Sequence, residues 1–167
     1  MRELPEEHRR SVPDEIVRQM EPPIGAIVIN HAFIEVTVDM CLTALWDEAQ
    51  AAGILKKHPT GIGKKIRDLR CAGNKLMQIE PHRGLLNHAC DGAERLSNLR
   101  HLVVHGVPTH CFMIDDPIVV FMRLNGKDGF LSERLSDVPM GVLTRAANVA
   151  GDIVRDLQQL GRLIVGE

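Results

Sequence analysis

The groups best equipped for chemistry sit together in residues 94–108, ERLSNLRHLVVHGVP. Arg100, His101 and His105 close an amphipathic stretch, and Gly106 and Pro108 follow at once. Guanidinium is a permanent cation whose planar donors suit a phosphate, and imidazole titrates near neutral pH. On a helix, Glu94, Asn98, His101 and His105 fall on one polar strip, spaced at four, three and four residues. Arg100 lies about 140° round from His105 in an ideal helix. Within one chain the two are therefore not expected to close on one phosphate oxygen. Two copies facing across a two-fold axis would bring both pairs into one cleft, so the expectation is a homodimer through helix 85–105. His101 and His105 also have the i, i+4 spacing with which two imidazoles share a metal ion, and His110-Cys111 come soon after. No carboxylate stands at a recognised offset as a third ligand, so neither a metal nor another cofactor is expected.

Composition narrows the substrate. The chain has 167 residues, 44% hydrophobic and 25% charged, values of an ordinary globular domain, with a net charge of −2. Coating duplex nucleic acid needs a broad basic surface, which this balance excludes. Four Phe, one Trp and no Tyr leave little for base stacking. A local backbone contact remains open in KKHPTGIGKKIRDLR, through Lys56, Lys57, Lys64, Lys65 and Arg67. That run is not a Walker loop, because His58 stands where its first glycine belongs and Lys65 where Ser or Thr belongs. Glu35 and Asp39, four apart on an apolar helix, are read as structural acids. Cys41, Cys71, Cys90 and Cys111 are widely spaced and read as reduced core residues of a cytoplasmic protein. The polar start MRELPEEHRRSVPDE is no signal peptide. The apolar run from Ile24 carries His31, Glu35 and Asp39, so a core helix is expected there and no membrane partner.

The elements that must position these groups follow from periodicity. Ser11 with Asp14 resembles a capping box for a short helix to about Met20, and Glu21-Pro22-Pro23 is expected to break it, leaving residues 1–22 as an N-terminal arm. A long helix from about Pro23 to Ala52 carries Ile27, Ile34, Val38, Cys41, Leu42 and Leu45 at three- and four-residue steps, and Gly53 stops it. Thr60 caps a third helix to about Ile79. The stripe Leu85, Ala89, Gly92, Leu96, Leu99, Val103 marks a fourth to His105, with Gly106 in a left-handed cap. Short β-rich segments over about 109–132 predict a hairpin or three-stranded meander, with turns at Asp115-Asp116-Pro117 and Asn125-Gly126. A last helix begins near Pro139. The fold class is all-α, a four-helix bundle over 23–167 with a β insert before its last helix.

Arg100, four intervening residues and His105 resemble the Arg-x4–6-His motif of HEPN domains (higher eukaryotes and prokaryotes nucleotide-binding). The polar residue after the arginine and the glycine after the histidine fit the motif, although His101 stands where asparagine is more usual. The layout is similar too, as are Ile34-Glu35 in the first long helix and Lys65-Ile66-Arg67-Asp68-Leu69 in the second, as in small bacterial stand-alone members. The resemblance spans residues 24–164. It implies a homodimer and a metal-independent endoribonuclease, acting as a toxin or defence effector alongside an antitoxin or regulatory protein. His105 would be general base on a ribose 2′-hydroxyl and Arg100 would hold the phosphate. Asn98, His101 or Glu94 would support them. The alternative, from the same resemblance, is a non-catalytic nucleotide-binding or protein-interaction module.

Overall fold

The structure, a computed structural model, describes residues 9–127 and 130–166. In chain order these form β1 (Arg9–Arg10), α1 (Asp14–Ala44), α2 (Trp46–Ala51), α3 (Ile62–Lys75), a 3-10 turn (Met77–His82), α4 (Arg83–His105), β2 (Val107–Phe112), β3 (Ile118–Lys127), β4 (Phe130–Pro139) and α5 (Met140–Val165). The fold is mainly helical, with one small antiparallel sheet placed ahead of the last helix.

Helix α1 corrects the first expectation, because Pro22 and Pro23 lie inside it rather than ending it. The buried positions Ile16, Met20, Ile27, Ile34 and Val38 keep one phase through the prolines, so burial of that stripe holds the helix together across the lost hydrogen bonds. The two missing N–H groups would have bonded the carbonyls of Arg18 and Gln19, both on exposed residues open to solvent. Leu45 offsets the short α2 from α1, and Gly53, at φ 68°, stops the run as expected. By length and composition α1 is apolar enough to cross a membrane, at mean hydropathy 1.5, and 33% of that window is buried within the protein.

Three caps and turns also differ from expectation. Gly61 at φ 84°, not Thr60, precedes α3, and α3 ends at Lys75, with Leu76 extended and Pro81 in a separate 3-10 turn. Gly106 is not left-handed. Its role is room, since a Cβ there would lie 2.6 Å from the Leu102 carbonyl and 3.1 Å from the Phe121 Cβ. Asn125-Gly126 is not a turn, because β3 continues through it to Lys127, paired with Phe130. Residues 128–129 lie outside the described ones. Asp128-Gly129 is a dipeptide of the same turn-forming kind, so composition could not choose between them.

The described residues pack as two compact units. One holds the chain up to Ile27 together with Asn98–Asn148, and the other holds Val28–Ser97 with Val149 onward. The first unit contains the sheet, ordered β1-β2-β3-β4 and antiparallel throughout. It is longer than the expected 109–132 and gains the two-residue β1 at its edge. Cys111, Val119, Phe121 and Val138 are among its buried residues, and Leu143 of α5 is buried in the same unit. Asp116 caps α5, its Oδ1 accepting from Gly141 N at 2.8 Å, while Met140 N donates to Pro117 O at 2.8 Å. The expected turn at 115–117 is thereby tied to the start of the last helix.

The second unit is helix on helix. Gly73 admits Leu86, whose Cδ2 would lie 2.5 Å from a Cβ there, and Gly92 similarly admits Ile153. Arg70 bridges to Asp91 at 2.6 Å and Glu94 at 3.6 Å. Lys65 bridges to Asp39 at 2.7 Å and Glu35 at 3.3 Å. The four cysteines are free. Burial pushes the Cys41 thiol up to about 12 and that of Cys90 up to about 11, the behaviour of inert core thiols.

Candidate active site

The last turn of α4 carries Arg100, His101 and His105, all in the sheet-bearing unit. Arg100 is half-buried; both histidines are exposed. Arg100 Nη1 lies 3.4 Å from His105 Nε2, a distance at which the guanidinium donates and the imidazole nitrogen accepts. The expectation from helix positions is that the two do not close on one phosphate oxygen within one chain; here their side-chain tips come together. The 140° offset holds for the helix positions, but the long arginine side chain folds along the helix surface toward the final turn and spans it. Among the described residues the buried Arg100 Nε has no hydrogen-bond partner, whereas Nη1 faces His105.

His101 and His105 stack edge to face, with ring centroids 4.7 Å apart. His101 is held below the usual histidine range by partial burial first, then by Arg123, His105 and Arg100. The shift favours the neutral ring. Asn98, one turn before His101, is exposed. Glu94 belongs to the other unit, where it pairs with Arg70.

Arg123 is the group that periodicity alone did not single out. It is the only charged residue in PIVVFMRLNG, the signal that sequence reading had available. Phe121, two residues earlier on the same strand face, packs where Gly106 leaves room directly after His105. That contact lays β3 against the end of α4 and brings Arg123 into the electrostatic surroundings of His101. Across the ladder Arg123 pairs with Arg134. Like charges opposite each other on one face are unfavourable by themselves.

Of the proposed backbone contacts, Lys56, Lys57, Lys64 and Arg67 are exposed. Lys65 is not available in the same way. Its side chain is 14% exposed, and its hydrogen bond to Asp39, with Glu35 adding to it, holds its pKa above the usual lysine range. Among the described residues no three His, Cys, Asp or Glu side chains converge as a metal site. His110 is buried in the sheet, with Thr109 Oγ1 3.0 Å from its Nδ1.

No family model matches the chain, and neither a curated protein nor a solved structure matches it.

Proposed function

We propose that this protein is a HEPN-type, metal-independent endoribonuclease of the cytoplasm, a toxin or defence effector working as a homodimer with an antitoxin or regulatory partner. The observation that carries the reading is the 3.4 Å approach of Arg100 Nη1 to His105 Nε2 at the end of α4. In the free protein the arginine donates to the nitrogen that would act as base. A phosphodiester entering the site takes over that guanidinium, and His105 Nε2 is then free to accept the 2′-hydroxyl proton. The 2′-oxygen attacks phosphorus, the 5′-oxygen leaves and takes up a proton from solvent, and a 2′,3′-cyclic phosphate remains. Arg100 offsets charge on the phosphoryl oxygens, and His101, packed against His105, holds the base in place.

The test is cleavage of total RNA and transfer RNA in excess EDTA. Wild type is expected to cut, leaving cyclic phosphate ends, and Arg100→Ala and His105→Ala each to lose roughly 100-fold or more, the usual share of a positioned base or charge stabiliser. If a folded wild type leaves every RNA intact, the chain is the non-catalytic module instead.

A further inference from the structure

Helix α1 carries two apolar faces. One is core. The other holds Ile29, Phe33, Val36 and Met40, which are 60%, 55%, 58% and 66% exposed. Their steps are four, three and four residues, the alternation with which one helix packs along another. A helix apolar on both sides is normally covered on both. We propose that this stripe is the seam on which a second copy of the chain docks, helix α1 against helix α1.

Three observations select a second copy as the occupant. The first is shape. Antiparallel pairing centred between Val36 and Thr37 sets Phe33 of one copy against Met40 of the other, an aromatic–thioether contact. The same pairing sets Ile29 against the exposed Thr43 and Ala44, large against small. The stripe is thus complementary to itself under a two-fold axis, as an isologous interface requires. The second is charge. The acids beside the stripe, Glu35 and Asp39, share Lys65 of their own chain, so each copy brings one net negative charge rather than two to the seam. The third is area. The four side chains expose roughly 400 Å² together, near the upper part of what a monomer leaves open in one patch. That is about half of the ~800 Å² each partner gives to a standard interface, with the helix flanks to supply the rest. A lipid surface fits less well. Helices that lie on membranes flank their apolar face with Lys and Arg, whereas Arg18 is the only Lys or Arg in α1 and acids border this stripe.

The seam rests on the homodimer of the proposed function and not on its chemistry, so the two fail separately: an active monomer removes the seam and the homodimer but leaves the chemistry, and an inactive dimer removes the chemistry alone. The experiment is sedimentation or light scattering of the full chain across about 1–100 µM, for wild type, Phe33→Glu, Val36→Glu, and two changes at exposed apolar residues elsewhere, Val104→Glu and Leu135→Glu. Helical circular dichroism establishes that each variant is folded. Wild type, Val104→Glu and Leu135→Glu are expected to be dimers, and each α1 variant to dissociate with at least a roughly 30-fold weaker Kd, the effect of losing a central contact. A wild type that is monomeric throughout overturns the proposal, whether or not it binds phosphatidylcholine–phosphatidylglycerol vesicles. So does a dimer that survives both folded α1 changes.

Discussion

Arg100 reaches His105 across five positions because its side chain is long and the helix is ending. His101 occupies the intervening face and feels both, together with Arg123 from the sheet. Its folded pKa lies below the ordinary value of 6.5. The unfolded chain therefore takes up a proton at this position first as pH falls, and the folded state loses stability from about pH 6.5 downward. A ring-proton NMR titration of His101 is expected to give a midpoint under 6.5. Arg123→Gln is expected to raise it only part of the way back, since partial burial is the larger cause. An unchanged midpoint in Arg123→Gln would place that arginine away from the histidine and remove it from the site. Much of this cluster was legible in the residue types, since Arg100, His101 and His105 stand within six positions. Arg123 was not, because its place depends on which strand passes the helix end.

At the scale of elements, α1 shows where local rules yield to packing. Proline inside a helix costs about 3 kcal/mol relative to alanine, yet the chain remains helical through two of them. The buried stripe from Ile16 to Leu45 supplies the compensation. Pro22→Ala is then expected to stabilise the protein by about 1 kcal/mol, after the loss of proline's stiffening of the unfolded chain is deducted, and to raise Tm by roughly 2–4 °C. A lower Tm in thermal denaturation would mean that the helix needs the proline geometry at that point. The strands tell the opposite story. β2, β3 and β4 were visible as short runs with β-branched or aromatic residues, but their lengths were not, because a strand ends where its partner does.

For the whole molecule, a net charge of −2 confines any RNA contact to local basic groups. If Arg100, Arg123 and Arg134 make the phosphate contacts, log affinity for single-stranded RNA should fall against log salt with a slope of about −2, at roughly 0.7 per phosphate. A slope near −5 would instead show that Lys56, Lys57, Lys64 and Arg67 take part as well. Filter binding of His105→Ala with RNA across a salt series measures this without cleavage.

Taken by itself, the amino-acid order determined the apolar phases, the helices they imply, the glycine stop at Gly53 and the local group Arg100–His101–His105. Those are properties of neighbours along the chain, governed by side-chain type and a repeat of three to four residues. Tertiary structure decided the rest. It carried α1 through Pro22-Pro23, withdrew Lys65 into an ion pair with Asp39 and Glu35, and set Arg123 beside His101. It also left Ile29, Phe33, Val36 and Met40 uncovered. Each of these depends on groups distant in sequence sharing one small volume, and a residue's type does not say which of its faces will meet another chain segment.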